Sequence, residues 1–167
     1  LRMSSKIITD SHATKRLYLE DKLPEIHVVP KCIEKPKTTR SSSHLWHSQT
    51  IIFVNPQLRK GLEALIIIAK ELYELRPKLR IKIVDSANRI ESELKHLNKT
   101  LDQLPKNIYL TGSYPNTDKL LEHGSLVLLL SLWHESGSRL IHESHLRGMP
   151  VIAFNTGGNA ELMGRNT

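Results

Sequence analysis

The chain has 167 residues, of which 39% are hydrophobic and 25% charged, and its formal net charge is +7. This length and composition suit one globular domain and exclude a chain that is disordered throughout. The apolar runs at residues 64–69 and 125–132 are much shorter than the roughly 20 residues that span a bilayer.

The N-terminal residues and the cysteine content bear on location. Residues 1–10 lack the basic segment, apolar stretch and cleavage site of a signal peptide. A lone Cys32 cannot form an internal disulfide and is consistent with a reducing compartment. We therefore expect a cytoplasmic protein.

The positive charge raises the question of nucleic acid, because a basic surface is typical of phosphate-backbone binding. More than half of the excess lies in residues 1–47, and residues 48–167 are nearly balanced. The chain also has few aromatic residues on which bases could stack. We expect no nucleic-acid partner, although a basic nucleic-acid-binding domain stays as a weaker alternative.

The first part of the chain ends in a segment of linker composition. Residues 31–47 are basic and polar and contain Pro36 and a Ser triplet, which predicts a linker or exposed loop. Ahead of this segment the pattern predicts a strand, a helix with Ser11 as N-cap and a second strand, at residues 6–9, 11–21 and 25–29.

The rest of the chain alternates strands with helices. Strands are predicted at residues 49–54, 79–84, 107–110, 126–130 and 151–154, and helices at residues 61–75, 89–98, 116–123 and 138–147. Such alternation predicts a parallel sheet covered on both faces, which is a doubly wound, Rossmann-like α/β fold. Ligands of these folds bind at the carboxyl ends of the strands, so we expect the site in the loops that follow the strands.

The segment with the most functional side chains is residues 131–161. Glu135 and Glu143 are separated by seven residues, Gly137 and Ser138 precede a helix, and two glycines follow the next strand. A helix N-terminus reached through small residues offers N–H groups and a positive dipole end to a phosphate or sugar oxygen. From spacing alone the simpler interpretation is favoured, in which Glu135 is a first-turn charge and Glu143 a solvated helix residue.

The whole segment, however, resembles the E-x7-E signature of the retaining glycosyltransferases of family 4, which have the two-domain GT-B fold. The residues that match in order are Ser131, Glu135, Glu143, Gly148, Pro150, Val151, Gly157, Gly158 and Glu161. Residues 48–61 are similar to that family's strand and Lys-Gly phosphate loop, and residues 107–114 to its Gly turn beside the base. Residues 7–34 resemble the end of the acceptor domain and the crossover strand.

The resemblance implies a domain division. Residues 1–30 correspond to the end of the acceptor domain and the crossover strand, residues 31–47 to a basic linker or loop, and residues 48–167 to the donor nucleotide-sugar-binding domain, truncated at its C-terminal end. Most of the acceptor domain lies outside this sequence. We therefore expect a fragment that is inactive by itself.

The resemblance also implies residue roles. Glu135 and Lys60 take the catalytic positions, where Glu135 contacts hydroxyls of the donor sugar and Lys60 neutralises the diphosphate. Glu143 accepts hydrogen bonds from the ribose hydroxyls. Backbone N–H groups at the helix start hold sugar and phosphate oxygens, at Ser138, Arg139 and Leu140. The other donor-binding positions are Asn55, Arg59, Thr111, Gly112, Gly137, Gly157 and Gly158.

Two departures from the family pattern concern the phosphates. Asn55 stands where the family usually has Arg, so one of two expected positive charges is replaced, and Arg59 or Arg139 is a candidate substitute. Residues 85–87 stand where the family has Gly-x-Gly. These changes leave the sugar and the phosphate contacts open.

Histidines near the segment raise the question of a metal. His142 and His145 are only three residues apart and no H-E-x-x-H is present, which is poor spacing for zinc. We expect no metal and no cofactor, with a nucleotide sugar such as a UDP- or GDP-sugar as the substrate. His134 is expected to make a polar contact to donor or acceptor.

The activity implied is transfer of a hexosyl group from a nucleotide sugar to an acceptor hydroxyl, with retention, in polysaccharide, lipopolysaccharide or glycoconjugate synthesis. The expected partners are a sugar or lipid-linked acceptor, the acceptor domain, and an anionic membrane at its inner face, which would use the excess charge. A non-catalytic nucleotide-binding module of the same fold is the main alternative, and Asn55 is the feature that favours it.

Overall fold

The computed structural model describes residues 6–18, 24–36 and 48–164, which contain a two-stranded and a five-stranded sheet. The strands are β1 (Lys6–Thr9), β2 (Glu25–Val28), β3 (Thr50–Val54), β4 (Arg80–Val84), β5 (Ile108–Thr111), β6 (Leu126–Leu129) and β7 (Val151–Ala153). The helices are α1 (His12–Arg16), α2 (Leu62–Leu75), α3 (Ile90–His96), α4 (Thr117–Leu121), α5 (Arg139–His145) and α6 (Asn159–Leu162). Two 3-10 turns occur at Leu58–Lys60 and Leu101–Gln103.

The larger sheet confirms the predicted doubly wound fold. Its strand order is β5-β4-β3-β6-β7, and every pair is parallel. The chain runs outwards from β3 through β4 to β5 and then crosses to β6 on the other side of β3. The loops that follow β3 and β6 therefore diverge and leave a crevice at their carboxyl ends, where ligands of such sheets bind.

Both faces of the sheet are buried, as expected for parallel strands. Successive residues of β3 point to opposite faces, so Ile51 and Phe53 pack with α2 and α3 while Ile52 packs with α4 and α5. In α2 the fully buried residues Leu62, Leu65 and Ala69 recur at helical spacing. The sheet is consequently a rigid base for the loops at its edge.

The predicted elements of residues 48–164 are confirmed to within one or two residues at each end. Helix α4 is shorter than predicted because Asn116 caps it, accepting a hydrogen bond from the Lys119 N–H, and because His123 has a left-handed backbone. Helix α6 and both 3-10 turns were not predicted, since such short helical segments show no apolar periodicity.

The N-terminal elements agree with the sequence only in part. Strands β1 and β2 lie where they were predicted, but α1 ends at Arg16 rather than near residue 21. Residues 19–21 of that predicted helix lie outside the described residues. In the predicted linker, residues 31–36 have no helix or strand, and residues 37–47 lie outside the described part.

The N-terminal unit, defined here as residues 6–18 and 24–36, contacts the larger sheet's last helix. The Glu161 carboxylate on α6 accepts hydrogen bonds from the N–H groups of His12, at 2.9 Å, and Ala13, at 2.5 Å. Arg16 lies 3.5 Å from the same carboxylate. The Glu161 side chain of α6 thus caps the first turn of α1.

Within residues 6–18, 24–36 and 48–164, no helix combines the length and the apolar character needed to cross a bilayer.

Gly61 brings the loop after β3 against the loop after β6. Its φ of 87° is left-handed, and a Cβ there would lie 2.3 Å from the Leu130 carbonyl oxygen. Only glycine permits this backbone approach without strain, because it has no Cβ. The approach places Lys60, the preceding residue, beside the segment that follows β6.

Gly61→Ala should therefore destabilise the protein, by about 2 kcal/mol or more, because alanine adds both a steric clash and left-handed strain. Gly112→Ala is the matched control, since a Cβ at Gly112 meets no atom within 4 Å among the described residues. Urea unfolding at equilibrium measures both changes. Equal free energies of unfolding for the two variants would contradict the packing described here.

Candidate functional site

A cleft of about 460 Å³ opens at the carboxyl edge of the sheet, between the loops that follow β3 and β6. It lies where the strand order reverses, as the topology predicts. Its floor is formed by the last residues of β3 and β6, and its walls by α5 and the segment before α4. The polar residues that line it are Asn55, Lys60, Tyr114, Asn116, Thr117, Ser131, Glu135, Ser138, Arg139 and Glu143.

An ion pair between Lys60 and Glu135 spans the crevice. Lys60 ends the 3-10 turn after β3, and Glu135 lies in the loop after β6. The same carboxylate oxygen accepts hydrogen bonds from Ser131 Oγ at 2.5 Å and Trp133 Nε1 at 2.9 Å. Glu135 is only 9% exposed, so these contacts are shielded from water.

Burial of the Glu135 carboxylate opposes its ionisation. The three hydrogen bonds to it and the charge of Lys60 outweigh this effect and hold the pKa of Glu135 below its usual value. Glu135 is therefore an anion at neutral pH and is presented to the cleft in one orientation.

A second ion pair lies on α5. Arg139 Nε is 3.0 Å from Glu143 Oε1, one helical turn away. Glu143 is 9% exposed and lines the cleft together with Glu135. The simpler interpretation of Glu143 as a solvated helix residue is therefore wrong, because the helix turns this side chain towards the crevice.

The Lys60 loop has its own supports. The Leu58 N–H at the start of the 3-10 turn donates to Glu93 Oε2 on α3, at 2.9 Å. Asn55 has a left-handed φ of 61°, which Asn tolerates better than most residues, and its N–H donates to the Val84 carbonyl at 3.0 Å. The turn that carries Lys60 is thus held by neighbours on both sides.

The start of α5 forms one wall of the cleft. Ser138, Arg139 and Leu140 all line it. The Ser138 N–H donates to Asn159 Oδ1 at 3.1 Å, so this donor is used within the protein. Arg139 and Leu140 belong to the first turn, whose N–H groups have no partner within the helix.

Three of the predicted site glycines support the Glu135 loop and do not line the cleft. Gly157 has a φ of 57°, and a Cβ there would lie 1.9 Å from the Glu135 carbonyl oxygen. The Gly158 N–H donates to that oxygen at 2.6 Å. Gly137, with a φ of 130°, packs near Leu162.

Three further predicted positions, Arg59, Thr111 and Gly112, also lie outside the lining of the cleft. Arg59 stacks on the Trp133 ring, with its guanidinium carbon 4.4 Å from the ring centre, and bonds to Gln57 at 2.7 Å. Thr111 donates its hydroxyl to the Ile83 carbonyl at 3.3 Å, and Gly112 is exposed. Of the two arginines considered as substitutes at Asn55, only Arg139 borders the cleft.

Sequence reasoning missed the wall formed by residues 114–117 and Leu120. Lys82, buried in β4, lies 4.9 Å from the Tyr114 ring centre and donates to the Leu120 carbonyl at 2.8 Å. A lysine inside a strand pattern is the one signal that could have indicated such support. It also missed Trp133, although the residue stands two positions before Glu135.

The position of His134 and the spacing of possible metal ligands bear on the predicted roles of the histidines. His134 Nε2 lies 3.2 Å from Thr14 Oγ1 in the N-terminal unit, and its role as a contact to donor or acceptor stays a prediction. Among residues 6–18, 24–36 and 48–164, no three His, Cys, Asp or Glu side chains converge at metal-binding distance.

These charges define what the cleft can bind. Lys60 and Arg139 can turn towards phosphate oxygens, and Glu135 and Glu143 can accept hydrogen bonds from hydroxyls. Each cation is paired with one carboxylate. The cleft is thus suited to a ligand that carries both phosphates and hydroxyl groups.

Glu135→Gln should lower the free energy of unfolding at neutral pH by about 1–3 kcal/mol, because it removes a charge-assisted contact and leaves Lys60 unpaired. The pKa of Glu135 is depressed, so the stabilisation by its carboxylate is present above the usual pKa and is lost as pH falls through the lower value. The difference in free energy of unfolding between wild type and Glu135→Gln should therefore become smaller below about pH 4.

Urea unfolding at a series of pH values checks this expectation, with Glu71→Gln on the exposed face of α2 as the matched control. A difference for Glu135→Gln that stays constant down to about pH 3 would contradict it.

The chain is similar in sequence to a known glycosyltransferase and in fold to several solved structures. The curated 2-deoxystreptamine N-acetyl-D-glucosaminyltransferase of Niallia circulans is 29% identical over 136 residues, which are 78% of this chain and 33% of that protein. Anabaena Alr3699/HepE in complex with UDP-glucose superposes with a TM-score of 0.78 at 21% identity, over 98% of this chain and 48% of HepE. TarM superposes with a TM-score of 0.77 at 17% identity, over 97% of this chain and 32% of TarM.

The chain spans about a third to about a half of the length of these proteins. Its doubly wound, Rossmann-like fold matches that of GT-B glycosyltransferase structures over part of their length. The family model of the glycosyl transferases group 1 matches residues 37–167. Since that match includes most of the sequence and every residue of the cleft, the chain belongs to the group 1 glycosyl transferases.

Proposed function

We propose that this chain forms the donor site of a glycosyltransferase and binds a nucleoside-diphosphate sugar, with UDP as the nucleotide. The observation that carries the proposal is the pair of ion pairs, Lys60–Glu135 and Arg139–Glu143, which face one cleft at the carboxyl edge of the sheet. The family and the UDP-glucose complex of the similar HepE structure support the choice of ligand.

Binding proceeds by exchange of partners. Lys60 and Arg139 move from their carboxylates to the diphosphate, and the carboxylates accept hydroxyls, Glu143 from the ribose and Glu135 from the sugar. The number of charge-assisted contacts is then conserved, so the desolvation of the two buried carboxylates is not left uncompensated. A ligand with phosphates alone or hydroxyls alone satisfies only half of these groups.

During transfer the bond between the anomeric carbon and the diphosphate oxygen breaks, the acceptor hydroxyl oxygen forms a bond to that carbon, and the hydroxyl proton leaves with the diphosphate. Negative charge develops on the diphosphate as it leaves. Lys60, Arg139 and the first-turn N–H groups of α5 lie where they can stabilise that charge. Arg139 supplies the second cation in place of the residue that Asn55 replaces. Because these groups supply the positive charge, the proposal includes no metal and no cofactor.

Retention at the anomeric carbon and transfer of a hexosyl group are further parts of the proposal. They rest on the E-x7-E pattern at Glu135 and Glu143. The similar enzyme named an N-acetyl-D-glucosaminyltransferase is compatible with a hexosyl donor. The acceptor is a sugar or lipid-linked hydroxyl, and peripheral contact with an anionic membrane stays a prediction.

The acceptor half is proposed to pack on the N-terminal unit. Strands β1 and β2 are parallel, and parallel strands are normally covered on both faces. Here Ile8 is 70% exposed and Val29 51% exposed on this small sheet. A further domain there would cover these residues and close the donor cleft, so we propose that both halves are needed for transfer.

The alternative is a nucleotide-binding module of this fold that catalyses no transfer, which Asn55 favours. Both proposals require nucleotide binding, and transfer separates them. Calorimetric titration with UDP, GDP, ADP and their sugars tests the shared part and identifies the nucleotide. Failure of all of them to bind at millimolar concentration would overturn the donor-site proposal.

Lys60→Ala should weaken UDP binding by about tenfold or more and leave uridine binding unchanged, because only the diphosphate needs the charge of Lys60. Lys70→Ala, on the exposed face of α2, is the matched control for the loss of one positive charge. Titration calorimetry with UDP and with uridine measures the ratio of the two affinities for each variant. Equal losses for UDP and uridine would remove Lys60 from the phosphate site.

Glu143→Gln should reduce the preference for UDP over 2′-deoxy-UDP, because a carboxylate accepts the ribose hydroxyls more strongly than an amide. The expected loss of preference is about threefold to tenfold. Titration of both nucleotides on wild type, Glu143→Gln and the control Glu71→Gln measures it. Undiminished preference in a folded Glu143→Gln variant would exclude ribose recognition by Glu143.

A further inference from the structure

The Glu135 loop is held from its outer side by charged residues of the N-terminal unit. We propose that Asp10 and Lys31 are positioning residues, which fix residues 136 and 137 and thereby align Glu135 and the first turn of α5 for the donor. This inference rests on the proposed donor site but adds residues that neither line the cleft nor belong to the E-x7-E segment.

The contacts form one connected cluster. Lys31 Nζ donates to the Gly137 carbonyl at 2.6 Å and lies 2.8 Å from Asp10 Oδ2. Ser136 Oγ donates to the same Asp10 oxygen at 2.9 Å. Asp10 and Lys31 are far apart in the sequence from residues 136 and 137, so this cluster ties two distant parts of the chain together.

The placement of Lys31 is unusual because its charge lies next to the N-terminal end of α5. The positive end of a helix dipole repels a cation there. Asp10 compensates for this repulsion by pairing with the ammonium group. Asp10 thus offsets the repulsion that Lys31 meets while its ammonium group donates to the Gly137 carbonyl, so the two residues act together.

Asp10 is suited to this task. Its partial burial opposes ionisation, but the hydrogen bonds from Lys31 and Ser136 outweigh that effect and hold the pKa of Asp10 below its usual value. The carboxylate is charged at neutral pH, where the donor would bind.

Residues 136 and 137 connect Glu135 to the helix α5. Ser136 and Gly137 are the only residues between Glu135 and the N-cap of α5, Ser138. Gly137 has a φ of 130°, which side chains other than glycine rarely adopt. A change of backbone angles at these two positions would move Glu135 and the α5 first turn relative to each other, and misplacement by about 1 Å is costly at such sites.

Other contacts fix the position of the N-terminal unit relative to the Glu135 loop. Thr14 contacts His134, Glu161 caps α1, and a Cβ on Gly158 would lie 2.8 Å from the Ser11 Cβ. These contacts flank the Asp10–Lys31 cluster on the same surface. The N-terminal unit therefore supports the Glu135 loop through several contacts.

The competing explanation is that Asp10 and Lys31 only add stability between the two sheets. A purely stabilising contact would lower the melting temperature but leave the ligand preference of the folded protein unchanged. Positioning predicts a selective effect on the diphosphate, because the cluster aligns the phosphate and sugar side of the cleft.

The test measures UDP and uridine affinity by calorimetry for wild type, Lys31→Met, Asp10→Asn and the double variant. Each single variant should weaken UDP about fivefold or more while uridine is unchanged, and the double variant should be no weaker than the worse single variant. Lys31→Arg should restore most of the UDP affinity. Lys35→Met, an exposed lysine on the same segment, is the matched control.

Hydrogen exchange of the ligand-free proteins gives a second measurement. Amides of residues 134–138 should exchange faster in Lys31→Met than in Lys35→Met. If wild type binds UDP but the variants keep its UDP-to-uridine ratio and its exchange pattern, the positioning role is overturned and the donor site stands. If wild type binds no nucleoside diphosphate, the donor site is overturned, and this inference with it.

Discussion

The ion pair between Lys60 and Glu135 is the interaction on which the rest of the site depends. It joins the loop after β3 to the loop after β6, across the place where the strand order of the sheet reverses. A parallel sheet of this topology leaves a crevice between these loops, and the two charges bridge it. The close approach of Gly61 to Leu130 brings the loops near enough for the pair to form.

A buried ion pair is weak evidence for stability, because desolvation offsets most of the attraction between its charges. The partners of Glu135 are explained better by the proposed donor site than by a contribution to stability. The carboxylate is fixed by three hydrogen bonds, and the Arg139–Glu143 pair on α5 lines the same cleft. The two ion pairs together contain two cations and two acceptors, which is the set of groups that the proposed diphosphate ligand requires.

The loop that bears Glu135 has support from three directions. Lys60 and Trp133 hold its carboxylate, Gly157 and Gly158 pack beneath its backbone, and the N-terminal unit holds its far end through Asp10 and Lys31. Loops carry function because a rigid scaffold positions them, and here the scaffold includes a second, smaller sheet. An acceptor half packed on that small sheet would be coupled to the donor loop through the same contacts.

The sequence by itself determined the doubly wound fold, since alternating apolar strands and amphipathic helices specify a parallel sheet covered on both faces. The meeting of loops after parallel strands at one edge predicted where the site lies. Lys60, Glu135, Glu143 and the start of α5 were predicted as site residues by the resemblance to the family's E-x7-E segment and Lys-Gly loop. The sequence could not predict that Lys60 pairs with Glu135, that Trp133 donates to that carboxylate, or that Asp10 and Lys31 reach residues 136 and 137. The contacts of Lys60, Asp10 and Lys31 join residues 75 to 126 positions apart, and that of Trp133 depends on a rotamer. Local pattern carries no information on either. Only the tertiary structure decided them, because packing of the two sheets sets which side chains meet.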